Sequence, residues 1–114
     1  TIDIYPTLIE LCGLSMPHPT DGKSLVRLLK QADSKEWENI AYSYYNNGVS
    51  LRTEQYRLTR YYRPEEPTIE LYNHRKDPHE NHNIAQDNPA LVKRLMPALE
   101  QGNKGLYPNV VDNK

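Results

Sequence analysis

The chain has 114 residues, 37% hydrophobic and 25% charged, with a formal net charge of -1. That length supports one modest core and excludes a large two-domain enzyme, and the charge balance gives no basic excess with which to bind nucleic acid. No apolar run approaches the roughly 18 to 20 residues that cross a bilayer, so no membrane partner is expected, and the one cysteine, Cys12, leaves the redox compartment open.

In chain order, Asp3 to Cys12 is predicted to be a helix. Ile4, Leu8, Leu11 and Cys12 share one face, Asp3 is the candidate N-cap, and Gly13 supplies the stop. Pro17, Pro19 and Asp21-Gly22 then form a rigid connector ending in a tight turn. A short helix is expected from Lys23 to about Gln31, with Leu25, Leu28 and Leu29 as its apolar stripe. Because the chain starts without methionine and enters a helix at once, it reads as cut from something longer.

Four strands follow. Ile40 to Tyr45 alternates with period two, and Asn46-Asn47-Gly48 is a turn because Asn and Gly tolerate positive φ. Val49 to Thr53 returns. Tyr56 to Tyr62 sets Tyr56, Leu58, Arg60 and Tyr62 on one side and Arg57, Thr59 and Tyr61 on the other. The last strand places Ile69, Leu71 and Asn73 on one face and stops at Asp77-Pro78. Beyond that turn Glu80, Asn81 and Asn83 can bond turn amides, and Ile84-Ala85 return an apolar anchor. Short connections make the sheet antiparallel. Asn88-Pro89 starts a closing helix carrying Leu91, Val92, Leu95 and Leu99, which Pro97 should kink or end near Lys93 to Met96. Gly102 to Lys114 reads as a loose tail. The nine tyrosines and absence of phenylalanine suit half-buried sheet faces better than a dry core.

Several groupings invite chemistry. His74, His79 and His82 flank Asp77 and Glu80, but a turn beside a proline without a thiolate suits a solvated turn better than a zinc site. Cys12, on an apolar stripe, reads as a core residue rather than a nucleophile. Arg52, Arg57, Arg60 and Arg63 read either as an anion-facing strip or as cross-strand partners of Glu54, Glu65, Glu66 and Glu70, and the second reading is favoured. Tyr44, Tyr45, Asn46 and Asn47 could stack on and hydrogen-bond a sugar ring, or form an ordinary turn. None of these groups unites a nucleophile, a base and an electrophilic stabiliser.

Two segments add a family resemblance. Asp3-Ile4-Tyr5-Pro6-Thr7-Leu8-Ile9-Glu10-Leu11-Cys12-Gly13, followed by Asp21-Gly22-Lys23-Ser24-Leu25, resembles the late catalytic-domain segment of the sulfatases. Glu70-Leu71-Tyr72-Asn73 through Asp77-Pro78-x-Glu80-x-x-Asn83-Ile84-Ala85 is similar to that family's C-terminal stretch. Between them, Ala41-Tyr42-Ser43-Tyr44 and Ser50-Leu51-Arg52-Thr53-x-x-Tyr56-Arg57-Leu58-Thr59 are similar to strands of the iduronate-2-sulfatase-like branch. The resemblance implies an alkaline-phosphatase-like parent that hydrolyses sulfate esters with a formylglycine nucleophile beside calcium or magnesium. The formylglycine lies in a C/S-x-P/A-x-R motif, and Cys12, followed by Gly13-Leu14-Ser15-Met16, does not match it.

The expected fold is therefore α+β: a four-stranded antiparallel sheet packed by a C-terminal helix, preceded by two helices from the end of the α/β catalytic domain. Residues 1–36 would close that domain, 37–102 would be the C-terminal subdomain and 103–114 a flexible tail. No catalytic or metal residue is expected in this chain, with calcium or magnesium and formylglycine assigned to an N-terminal catalytic domain. That domain and a sulfated sugar are the implied partners, with Tyr45, Asn46 and Asn47 as the substrate-binding candidates. A periplasmic or secreted setting would suit such an enzyme. The alternative is a non-catalytic carbohydrate- or anion-binding module, or an interaction domain without a ligand; a C/S-x-P/A-x-R motif upstream would favour the enzyme.

Overall fold

In a computed structural model of the chain, residues 2–107 are described. Contacts divide the chain into two compact units, residues 1–38 and 39–114. The first carries α1 (Ile4–Leu11) and α2 (Val26–Lys30). The second carries β1 (Ala41–Tyr45), β2 (Gly48–Arg52), β3 (Tyr56–Tyr61), β4 (Ile69–Asn73) and α3 (Pro89–Asn103). The strands form one antiparallel sheet in the order β1-β2-β3-β4.

Within the first unit the sequence motif has a mechanical explanation. Asp3 precedes α1, but its carboxylate makes no cap bond and instead accepts the Lys23 N–H at 2.7 Å. The Thr7 hydroxyl donates to the Asp3 carbonyl and accepts the Leu25 N–H at 2.9 Å. Gly22 passes so close to the Ile2 carbonyl that a Cβ would lie 2.0 Å from its oxygen, so only glycine allows this approach. Asp3, just before α1, and Thr7 within it thus clamp the Asp-Gly-Lys-Ser-Leu turn. Pro6 and Thr7 are the buried residues of α1, while Ile4, Leu8 and Leu11 are 54%, 54% and 57% exposed. Cys12 is exposed as well, correcting its assignment to a core: it continues the apolar face that this unit leaves uncovered. In α2 the buried residue is Val26, and Leu29, expected in the stripe, is exposed.

In the second unit, register explains the core. Leu51 lies opposite Tyr42 and Leu58, and Leu58 opposite Leu71, so one cross-strand row carries three fully buried leucines. Val49 and Leu99 are also fully buried, with Leu91, Val92, Leu95 and Met96 of α3 packed against the cluster. Each such aliphatic side chain contributes about 1.5–3 kcal/mol through removal from water.

α3 runs through Pro97 rather than ending before it. The proline forfeits one helical hydrogen bond, but the turns beyond it are held by the sheet. Tyr42 and Tyr44 donate their hydroxyls to the Ala98 and Gly102 carbonyls at 2.8 and 2.7 Å. The Tyr42 ring lies where a Cβ on Gly102 would sit, at 2.2 Å. Arg60 meets Glu100 at 2.5 Å, and the Tyr62 hydroxyl donates to the same carboxylate at 2.9 Å. Within the stretch expected as a tail, Asn103 bonds both the N–H and the carbonyl of Tyr107, and Tyr107 stacks on Tyr62 at 5.6 Å. Residues 108–114 lie outside the described residues.

The stretch after β4 extends the sheet. Asn83 Oδ1 accepts the N–H groups of Leu71 and Ala85, both at 3.0 Å, and its Nδ2 donates to the Ile69 carbonyl. The Ile84 N–H then reaches the Leu71 carbonyl at 2.9 Å. One side chain and one backbone amide therefore satisfy an edge that would otherwise be open. Ala85 is buried and Ile84 packs on the core, as the apolar anchor requires.

Candidate functional site

The β1–β2 hairpin tip is a two-residue loop. Asn46 and Asn47 have φ of 50° and 56°, the paired left-handed conformation that matches strand twist and that asparagine tolerates. The Asn47 carbonyl accepts the Tyr62 N–H at 2.7 Å, tying the loop to the end of β3. Among the described residues the Asn46 and Asn47 side chains have no hydrogen-bond partner, and Tyr45 is 83% exposed. Exposed amides beside an exposed phenol can both hydrogen-bond and stack.

Register adds a neighbour that the sequence reading missed. Tyr45 faces Gly48, which faces Tyr61, so the three share one row on the sheet face opposite α3. A Cβ on Gly48 would stand 2.8 Å from the Tyr61 ring, so the glycine lets that ring approach the strand. Arg63 lies over Tyr61 at 4.2 Å. Counting back from the two-residue turn would have found this row.

The rest of that face is polar. Ser50 and Thr59 are buried and bonded to each other at 2.6 Å. Arg52 and Arg57 sit directly opposite one another at the far end. Arg57 is ion-paired with Glu80 and lies over Tyr72 at 5.5 Å. Burial first, then the nearby Glu70 carboxylate, raises the pKa of both Tyr61 and Tyr72. Arg60 belongs to the other face, so the four arginines do not form one strip. Their expected partners are also corrected: Arg57 and Arg60 meet Glu80 and Glu100, while Glu54 pairs with Arg75.

The histidines take separate roles. His74 Nε2 lies 2.5 Å from Glu80, whose φ is 56°. Asp77 accepts the His82 N–H and the Asn81 side-chain amide, and hydrogen bonds from Asn81 and His82 hold its carboxyl below the ordinary range. His82 is itself exposed. Among the described residues no group of three His, Cys, Asp or Glu side chains could hold a metal ion. Cys12 does not fit a formylglycine site either: Leu14 and Met16 stand where the motif needs its proline or alanine and its arginine, and the thiol is free and exposed. No chemical step is therefore derived for these groups.

The four-stranded antiparallel sheet covered by α3, with α1 and α2 before it, matches the architecture expected of a sulfatase C-terminal portion. The family model described as N-sulphoglucosamine sulphohydrolase, C-terminal, matches residues 1–104, and the chain belongs to that family. A sulfatase of Formosa agariphila is 30% identical over 91% of this chain and 22% of its own length. A Delta 4,5-hexuronate-2-O-sulfatase of Bacteroides thetaiotaomicron is 34% identical over 76% of this chain and 19% of its own. Among solved structures, a protein in complex with its substrate D-glucosamine-2-N,6-O-disulfate has a TM-score of 0.77 at 27% identity, covering 98% of this chain and 25% of that one. A 2-O GAG sulfatase superposes with a TM-score of 0.68 at 27% identity, covering 90% and 24%. The chain thus spans about a fifth to a quarter of the relatives it matches.

Proposed function

We propose that the chain is the substrate-facing C-terminal portion of an enzyme hydrolysing sulfate esters of a sulfated carbohydrate, and that it is inactive alone. Tyr45, Asn46 and Asn47 would contact the sugar, with Tyr45 stacking and the two amides bonding hydroxyl or sulfate oxygens. The observation that carries this reading is the two-residue turn that holds an exposed phenol and two unpaired amides together at one tip. Names of relatives that act on sulfated sugars support it, and the hexuronate-2-O-sulfatase relative supports an assignment to the iduronate-2-sulfatase-like branch.

In this reading residues 1–36 end a catalytic domain that carries formylglycine and calcium or magnesium, and residues 37–102 form the subdomain beside it. The exposed face of Ile4, Leu8 and Leu11 supports coverage by that domain, since apolar side chains grouped on one helix face mark contact surfaces.

The test measures sulfate released from sulfated mono- and disaccharides by the full-length protein and by the 114-residue chain. Release by the full-length protein alone is expected. Binding of these sugars by the full-length protein without release would favour the carbohydrate-binding module instead.

A further inference from the structure

We infer that the Arg52 end of the sheet face opposite α3, away from the Tyr45 tip, is a docking surface for the remainder of the parent protein, and that Arg52 receives an acidic side chain from it. This rests on the reading of the chain as one part of a larger enzyme, and adds which face is covered and by what chemistry.

Three arginines carry the argument. Arg52 Nη1, Arg57 Nε and Arg63 Nε are each shielded from solvent and lack a hydrogen-bond partner among the described residues. All three belong to this face: Arg52 and Arg57 by register, Arg63 by its position over Tyr61. A buried guanidinium nitrogen without an acceptor is costly, and native folds rarely retain one. Two of the arginines are partly matched, Arg57 by Glu80 and Tyr72 and Arg63 by Tyr61. Among the described residues Arg52 has no acidic partner, and it stands directly opposite Arg57, an arrangement of like charges that destabilises a sheet.

The surroundings suit a protein side chain. Arg52 lines a recess of about 250 Å3 with Asn39, Ile40, Ala41, Thr53 and Glu54. Ala41, opposite Arg52 in the register, leaves the space, and Glu54 at the rim is engaged by Arg75 at 2.6 Å. A recess of that size takes one carboxylate side chain and is smaller than the pockets that bury drug-sized ligands. The hydroxyl pair at the centre of the face, Ser50 and Thr59, is buried by the chain itself and satisfied by its mutual hydrogen bond, so it makes no demand on a partner. Guanidinium and carboxylate match as paired donors and acceptors.

The test compares the full-length protein with the 114-residue chain. Butanedione modification read by mass spectrometry should label Arg52 in the isolated chain and be suppressed at least ~10-fold in the full-length protein, while Arg94, exposed on α3, is labelled in both. Arg52→Gln should lower the melting temperature of the full-length protein by about 2 °C or more and leave the isolated chain unchanged or more stable, because there it removes a half-buried charge that faces Arg57. Arg52→Lys, which keeps charge but loses the fork, should fall between. Equal labelling of Arg52 in both proteins, or the same shift in both on Arg52→Gln, would overturn the inference. So would protection of Arg52 in the full-length protein only on addition of a sulfated tetrasaccharide, which would make the face a glycan site. Full-length protein that releases sulfate with Arg52 open would leave the proposed function standing and remove this inference alone.

Discussion

Replacing Asn83 by alanine tests whether the Asp-Pro-x-Glu-x-x-Asn-Ile-Ala stretch is architecture. The asparagine accepts two backbone N–H groups at 3.0 Å and donates to a third backbone group at 3.1 Å. Two of these, Ala85 N–H and Ile69 carbonyl, can reach water after truncation, at a net cost of about 0.5–1.5 kcal/mol each. The Leu71 N–H belongs to a residue with no exposed surface, and losing its acceptor costs about 1–3 kcal/mol. The sum is roughly 2–6 kcal/mol, enough to lower the melting temperature of a domain this size by about 10 °C or more. Thermal unfolding followed by circular dichroism gives the shift, and amide exchange at Leu71 reports the lost bond directly. Asn83→Asp keeps the acceptor and should preserve most of the Leu71 protection. A variant within ~0.5 kcal/mol of wild type, with Leu71 still protected, would refute the reasoning and return the stretch to an ordinary solvated loop.

Other outcomes follow from the same geometry. Burial, reinforced by the hydrogen bond and charge of Glu100, pushes Tyr62 up to about 12 from 10.0. A raised value means that its contribution is fully present below pH 10 and lost as pH rises toward 12, an effect of roughly 2–3 kcal/mol that Tyr62→Phe should flatten in alkaline unfolding curves. Glu100 behaves oppositely at the acid end: burial alone would raise it, but hydrogen bonds from Tyr62, Asn103 and Arg60 and the charge of Arg60 hold it below 4.5. Its contribution is present above that value and lost as pH falls through the lowered one, and Glu100→Gln should remove that acid dependence. On α1, Leu8→Lys with Leu11→Lys should reduce self-association of the isolated chain in sedimentation without changing its unfolding midpoint; a wild-type chain that stays monomeric at every concentration would contradict the account of that face.

Local physics explains which parts of the fold were readable from sequence. The strands were legible because period two and two-residue turn chemistry are local signals; the ends of β1, β2 and β3 lie within a residue of the expected ones, while β4 stops at Asn73, where the Lys76 and Asp77 N–H groups close a turn before Asp77-Pro78. Pro97 does not end α3, because the compensating bonds from Tyr42, Tyr44, Arg60 and Tyr62 come from other elements that no local pattern shows. The arginine partners were assigned to acids nearby in sequence. Glu80 and Glu100 arrive from a turn and a helix whose approach no local pattern encodes. Cys12 and Leu29 look like core residues because amphipathicity identifies an apolar face without saying what covers it. At the tip, the sequence indicated a turn built on residues that tolerate positive φ, and both asparagines adopt it. Alanine at either position would therefore add strain of about 1 kcal/mol or more to any effect on substrate, and glycine is the substitution that removes the side chain while keeping the backbone.

The most direct measurement is therefore kcat/KM of the full-length protein and its Asn46→Gly/Asn47→Gly variant across a panel of sulfated sugars, alongside their unfolding midpoints. The account expects the ratio between good and poor substrates to change about ten-fold, the effect of losing one or two hydrogen bonds to a bound sugar, while the midpoint stays nearly constant. Unchanged ratios on every sugar hydrolysed would contradict it and leave Tyr45, Asn46 and Asn47 as a turn and nothing more.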